Sequence, residues 1–273
     1  EPFNLIHPLA INSYQFKTWF PYVQDCKNIT MLEDSLRKCF AFHYSWKNSV
    51  SDIHSFKDVA RILRDGALFT NHRLKQHRPL VKDPIAIFNV EWLVVTFDIK
   101  PIILIRHPAA FVSSLIKADW RFPFQDFLKQ PSLMSRLDIF RKDIELAASN
   151  REMPILEQGI LLWNVIHLII YEYQQVHPEW FFVKHESLSE NPLKGFKNIF
   201  EYLDLPYTEA VKRGISISTQ HGNKVDAAKP NDTRINSLAN IFSWKRRLTD
   251  VQIDRIREGT SVVCTNFYSN KDW

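Results

Sequence analysis

Residues 101–114, PIILIRHPAAFVSS, decide the fold that the sequence predicts for this chain of 273 residues. Positions 102–105 form an uninterrupted Ile/Leu run, which is typical of a strand buried on both faces of a parallel sheet. His107 and Pro108 end the run, and Pro108 suits the first position of a helix that we expect to reach about Ala118. This stretch therefore predicts one strand followed directly by one helix.

The same order of strand and helix is predicted on both sides of this stretch. Residues 79–82 predict a short buried strand, after which Asp83 caps a helix that begins at Pro84. Residues 180–183 predict a third strand, and Pro192 begins the helix that follows it. Strands that alternate with helices indicate an α/β fold with a central parallel sheet. The predicted helices cover about 52–64 (ending at Gly66), 84–97, 108–118, 135–149, 155–176 and 192–203, and a last amphipathic helix begins at Thr249-Asp250.

The composition excludes several classes of protein. Hydrophobic residues make up 45% and charged residues 24% of the chain, so it is neither disordered nor collagen-like nor a coiled coil. The 6 glycines are scattered, and no complete glycine-rich phosphate loop or GxGxxG motif is present. The 3 cysteines form no CxxC pair, and a Cys26–Cys39 bridge has no support in the pattern. We expect a reducing compartment and no metal site, because the histidines form no HExxH motif or Cys/His cluster.

The positive charge is concentrated near the C-terminal end. Residues 211–247 hold eight Lys or Arg and two Asp, an excess greater than the net charge of +5 of the whole chain. Such a segment is either a solvated face or a binding surface, and without a nucleic-acid-binding module we expect no nucleic-acid partner. We also expect no membrane span, since residues 160–173 are too short and residues 92–105 are interrupted by Asp98 and Lys100.

Polar side chains that follow the predicted strands are the candidate ligands of a phosphate. Arg106 ends one strand just before a helix, and ligands of open parallel sheets bind at such strand ends, near helix N-termini. Its guanidinium can hold a phosphate through two parallel hydrogen bonds, or form an ion pair on the surface. Ser114, two turns into the helix, can donate its hydroxyl to the same group or be solvated. Lys82 and His185 follow the other two predicted strands, so we expect them at the same edge of the sheet, either as ligands or as solvated and space-filling side chains.

These residues resemble four motifs of the PAPS-dependent sulfotransferases (PAPS is 3′-phosphoadenosine 5′-phosphosulfate), in the order that the family has them. Residues 103–114 resemble its 3′-phosphate-binding strand and helix, in which an Arg and a Ser are eight residues apart. Residues 181–188, FFVKHESL, resemble its next strand and the exit from that strand. Residues 243–249, SWKRRLT, resemble its C-terminal Trp-Lys motif. Lys82 falls where the family has a Lys near the transferring sulfuryl group, and Glu1-Pro2 is similar to a Glu-Pro pair found especially in bacterial members.

The resemblance implies a single sulfotransferase domain over residues 1–273, with a three-layer, P-loop-like α/β fold. The family's first strand and 5′-phosphosulfate loop would then precede Glu1. The implied reaction is an in-line transfer of a sulfuryl group from PAPS to a hydroxyl or amine, without a metal ion. Glu1 is implied as the general base, with His7 as the alternative, and Lys82 as the residue that stabilises the transferring group. The implied ligands of the nucleotide are Arg106, Ser114, His185, Arg234, Trp244 and Lys245.

Two other functions remain open at this point. The chain could be a non-catalytic remnant that binds PAPS or its product PAP (3′-phosphoadenosine 5′-phosphate), or a nucleotide-dependent phosphotransferase. A kinase would need its own phosphate loop and Mg²⁺-binding carboxylates, which the predicted strand ends lack. The acceptor is a glycan, a lipid or a small metabolite, and its expected site is the Trp- and Phe-rich regions 1–50 and 119–134. The similarity to bacterial members favours a cytoplasmic enzyme, and a Golgi enzyme whose membrane anchor precedes Glu1 is the alternative.

Overall fold

The computed structural model describes residues 2–3, 5, 10–49, 53, 55–226 and 233–273. The chain divides into two compact units, the first made of residues 1–99 and 123–148 and the second of residues 100–122 and 149–273. One domain over residues 1–273 therefore stays a prediction.

In the described ranges the α-helices are α1 (Ile29–Phe40), α2 (Trp46–Ser49), α3 (Phe56–Leu74), α4 (Val90–Phe97), α5 (Pro108–Lys117), α6 (Gln125–Leu128), α7 (Pro131–Arg136), α8 (Arg141–Ser149), α9 (Ile155–Val176), α10 (His185–Glu190), α11 (Pro192–Tyr202), α12 (Glu209–Thr219), α13 (Ser237–Ile241) and α14 (Asp250–Cys264).

The described strands are β1 (Ile102–Ile105) and β2 (Phe181–Lys184), which pair in parallel. The strand predicted over residues 79–82 is wrong. Those residues have no regular secondary structure, and Leu80 is 86% exposed, so the apolar side chains there have no sheet to pack on. The three-layer, P-loop-like arrangement stays a prediction, since two strands do not define it.

Strand β1 is buried on one face only. Ile103 and Ile105 are in the core, whereas Leu104, on the opposite face, is 48% exposed. The prediction of burial on both faces is therefore wrong for this structure, although the strand itself is confirmed. The reason lies outside the strand, because an Ile/Leu run shows that a segment can be buried but not what covers it.

Helix starts follow the capping residues that the sequence indicates. The Asp83 carboxylate accepts a hydrogen bond from the Ile85 N–H at 3.2 Å, which confirms its capping role, and a 3₁₀ helix (Pro84–Asn89) leads from there into α4. Thr249 and Gln252 form a reciprocal capping box at the start of α14. Helix α3 is different, since it continues through Gly66 to Leu74, and the predicted end at Gly66 is wrong. A single glycine disfavours a helix by only about 1 kcal/mol, which the rest of the helix offsets.

The core of the second unit forms where α9 packs against α5 and α14. Ala109, Val112, Ile160, Trp244 and Ile256 are among its buried members. By length and composition alone, α9 is the one described helix that is long and apolar enough to cross a membrane, and 61% of its apolar window is buried inside the structure. Its packing is that of a core helix.

Candidate functional site

The carboxyl ends of β1 and β2 bring several of the predicted residues together. Ile105 pairs with Lys184, so Arg106 and His185 each leave the sheet one residue further on, at the same edge. This confirms that the two side chains share an edge. Helix α5 begins at Pro108 on the same side, which points its positive N-terminal end toward this position.

Arg106 is half-buried at the end of β1. Its Nε–H is buried and makes no hydrogen bond within the described part of the chain. Burial lowers its pKa from the ordinary value, the nearby Glu186 carboxylate acts in the opposite direction, and the positive charge of Arg247 lowers it further. A buried cation with an unsatisfied donor is costly unless an anion pairs with it.

Glu186 is a residue at this edge of the sheet that our list of candidates did not include. One oxygen of its carboxylate accepts a hydrogen bond from the His107 backbone N–H at 3.0 Å, and the other accepts one from the Tyr268 hydroxyl at 2.9 Å. Burial and the Glu186 charge raise the pKa of Tyr268. The carboxylate thus ties the exit of β2 to the start of α5. Its position directly after His185 was the signal available in the sequence, whereas Tyr268 offered none.

His107 has a structural role at the start of α5. Its Nδ1 accepts from the Ala109 N–H at 3.3 Å and so caps α5. The ring lies flat against Trp244, with centroids 5.0 Å apart and planes 9° apart, and meets Trp273 edge-on at 4.5 Å. Burial lowers the pKa of His107 to about 4, so the imidazole is neutral at pH 7.

Ser114 and His185 are both half-buried in this structure. The Ser114 hydroxyl donates to the Ala110 carbonyl at 2.8 Å, one turn back in α5. Burial and the positive charge of Arg106 lower the pKa of His185, so its imidazole is also neutral at pH 7. A neutral ring next to a cation is suited to stacking on an aromatic base.

The C-terminal motif divides into a buried residue and an exposed one. Trp244 is 2% exposed and packs on His107, so the structure gives it a packing role, and contact with a nucleotide stays a prediction. The Lys245 ammonium is exposed and donates to the Trp273 carbonyl at 3.0 Å. Arg234 lies in an exposed loop.

Lys82 and Glu1 are the two catalytic candidates. Lys82 is exposed and lies in the first unit. Residues 79–82 are not a strand, so the predicted position of Lys82 at the end of a strand is wrong. Its role now depends on the resemblance alone. Glu1 and the alternative base His7 lie outside the described residues.

The part of the chain that the structure describes contains neither a metal-binding cluster nor a disulfide. Among those residues no group of three or more His, Cys, Asp or Glu side chains could hold a metal ion. Cys26, Cys39 and Cys264 are free thiols, and burial raises the pKa of Cys39 and Cys264 to about 11. Thiols with raised pKa values are poor nucleophiles at neutral pH.

Comparison with known proteins finds a partial similarity to one sulfotransferase. Over 82 residues the chain is 33% identical to carbohydrate sulfotransferase 1 of Danio rerio, a match that covers 30% of this chain and 19% of the relative. The match thus spans about a fifth of the length of that protein. No protein-family model matches the chain, and no solved structure matches it. The distant, partial similarity supports a sulfotransferase-like transferase in general terms.

Proposed function

We propose that this protein is a PAPS-dependent sulfotransferase that transfers a sulfuryl group to a hydroxyl or amine of a glycan, a lipid or a small metabolite. The observation that carries the proposal is the buried Nε–H of Arg106 at the end of β1, which has no hydrogen-bond partner among the described residues. The partial similarity to a carbohydrate sulfotransferase supports the same class of enzyme. We place it in a three-layer, P-loop-like α/β fold and in the cytoplasm, with no nucleic-acid partner and no membrane span in this chain.

A phosphate dianion suits the surroundings of Arg106 better than the carboxylate already there. Both oxygens of Glu186 accept other hydrogen bonds, from His107 and Tyr268. Arg247 adds positive charge to the site, although it is itself paired with Asp226. The 3′-phosphate of PAPS would offer three acceptor oxygens to a planar guanidinium, with the N-terminal end of α5 contributing a favourable field.

Other residues would complete the binding of the nucleotide. The Ser114 hydroxyl would turn from the Ala110 carbonyl to donate to the 3′-phosphate. His185, neutral at pH 7, would stack on the adenine. Arg234 and Lys245 would close over the phosphate, and Lys245 would exchange the Trp273 carbonyl for a charged acceptor.

The reaction is a displacement at sulfur in which atoms and charge balance without a metal. The acceptor oxygen or nitrogen forms a bond to sulfur, the bond between sulfur and the 5′-phosphate oxygen breaks, and PAP leaves. The proton of the acceptor goes to a general base, a role that the resemblance assigns to Glu1, with His7 as the alternative. Lys82 would neutralise charge that develops on the transferring group.

Calorimetric titration of PAP into the protein and its Arg106→Ala variant tests the donor site. We expect saturable binding that the variant weakens about 100-fold, because a buried, charge-assisted pair is lost. Arg246→Ala is the matched control, since Arg246 is exposed in the same basic region, and should bind PAP as the unmodified chain does. Equal binding by the Arg106 variant, or no binding by the folded protein at millimolar PAP, would contradict the proposal.

The same samples separate the alternatives. Transfer of radioactive sulfate from labelled PAPS to an acceptor identifies the sulfotransferase. Binding of PAP that depends on Arg106 without any transfer identifies a non-catalytic remnant. Phosphate transfer that needs ATP and Mg²⁺ identifies a phosphotransferase.

A further inference from the structure

The first unit contains an open pocket, and half of the residues that line it are aromatic. Its volume is about 340 Å³, at the lower end of the range for pockets that hold small ligands, roughly 300–1,000 Å³. Two elements form it, the segment 42–46 on one side and the C-terminal part of α3 on the other. The lining residues are Phe42, Tyr44, Trp46, Thr70, Arg73 and Leu74.

Trp46 is held against α3 while much of its ring stays open to solvent. The side chain is 49% exposed, and its indole meets the Tyr44 ring edge-on, with centroids 5.0 Å apart. A Cβ atom on Gly66 would lie 2.3 Å from the indole, so only glycine at this position lets Trp46 rest on the helix. The glycine inside α3 therefore has a packing reason, which is the position of this aromatic ring.

Phe42 is placed by a backbone conformation that is unfavourable for it. Its φ is 53°, in the left-handed region just after the C-terminus of α1, where glycine is usual. The ring contacts Phe69 and His72 of α3, with centroids 5.8 and 5.1 Å away. These contacts hold the ring at the pocket in spite of the strain.

The polar side of the pocket offers a cation and a hydroxyl oxygen. The Arg73 guanidinium is exposed and makes no hydrogen bond or ion pair with any residue that the structure describes. The Thr70 hydroxyl donates to the Gly66 carbonyl at 2.8 Å, which leaves its oxygen free to accept from a ligand. The pocket thus combines flat aromatic rings with a guanidinium that can donate parallel hydrogen bonds to an anion.

We infer that this pocket binds a sugar ring that carries a carboxylate or sulfate group. Exposed aromatic rings pack against the C–H face of a pyranose, the Thr70 oxygen accepts from a sugar hydroxyl, and Arg73 binds the acidic group through parallel hydrogen bonds. The net charge of +5 favours the approach of an acidic oligosaccharide. The inference rests on the proposed function in one respect, since it makes this sugar part of the acceptor.

Titration with two oligosaccharides tests the pocket without reference to PAP. The acidic probe is a hyaluronan tetrasaccharide and the neutral one is chitotetraose, both followed by calorimetry at low salt. We expect the acidic probe to bind the unmodified chain and both Trp46→Ala and Arg73→Gln to weaken binding by at least about tenfold. Phe56→Ala, at a side chain 96% exposed at the other end of α3, and Arg151→Gln, at an exposed loop, are the matched controls and should change nothing.

Each other result overturns a defined part of the inference. No saturable binding by the folded protein, or binding that neither variant changes, overturns the site. Equal affinity for the neutral probe overturns the role of Arg73, and tighter binding of dodecyl sulfate in the same pocket replaces the sugar with a lipid. PAP binding that depends on Arg106 alongside a failed sugar titration would refute this inference alone, whereas sugar binding without PAP binding would refute the proposed function alone.

Discussion

Glu186 is the residue on which the geometry around Arg106 depends. Its carboxylate receives hydrogen bonds from the His107 N–H and the Tyr268 hydroxyl, two groups that come from distant parts of the chain. Glu186→Gln removes one acceptor and places an amide N–H₂ opposite a donor. We expect the free energy of unfolding to fall by about 1–3 kcal/mol, the usual effect of leaving a buried donor without a partner. Urea unfolding measures it.

Tyr268→Phe is the comparison that isolates one of these two bonds. The variant removes the hydroxyl alone, so the loss should be smaller, near ~1 kcal/mol. The double variant should lose less free energy of unfolding than the two single variants lose together. The reason is that both substitutions remove the same contact between Glu186 and Tyr268. Strict additivity would show that the carboxylate and the hydroxyl do not interact in solution.

Replacing a glycine should have opposite effects on stability in α9 and in α12. In α9, a Cβ atom on Gly159 would lie 3.2 and 3.3 Å from the methyl groups of Val112 in α5, whereas one on Gly214 in α12 would meet nothing within 4 Å. Gly159→Val should therefore lower the free energy of unfolding by about 1–3 kcal/mol through overpacking. Gly214→Ala should raise it by roughly 0.5–1 kcal/mol through helix propensity.

Thermal unfolding of the two glycine variants, followed by circular dichroism, checks the prediction. The opposite signs matter more than the magnitudes. If Gly159→Val were neutral, α5 and α9 would not approach each other as closely as the structure has them.

The elements also show what a sequence can and cannot predict. Local signals, such as the Pro108 helix start and the Thr249 cap, predict element boundaries well because the interactions are made within one turn. The strand prediction over residues 79–82 fails because an apolar run does not show whether another strand is there to pair with it. The same limit applies to the site. Arg106 and His185 follow from the order of strand and helix, whereas Tyr268 reaches Glu186 from 82 residues away and depends on how α14 packs.

Buried histidines make the stability of the second unit depend on pH. Burial lowers the pKa of His107 to about 4 and that of His167 to about 3, against 6.5 in the unfolded chain. Below pH 6.5 the unfolded state therefore binds protons that the folded state does not, and the stability present above that pH is lost as the pH falls toward 4. Each histidine should lower the free energy of unfolding by about 1.4 kcal/mol per pH unit within this window.

Urea unfolding between pH 7 and 4.5 measures this slope, and His167→Gln tests its origin. The substitution also removes the stacking of His167 on Trp163, whose ring centroids are 4.0 Å apart. A lower stability at every pH is therefore expected in any case and does not test the prediction. The informative quantity is the slope, which should become shallower by about 1.4 kcal/mol per pH unit because one titrating group is gone. His221→Gln, at an exposed histidine, should leave the slope unchanged. An unaltered slope in His167→Gln would mean that His167 takes up its proton without unfolding, and that its burial between Trp163 and Phe267 is weaker than the structure indicates.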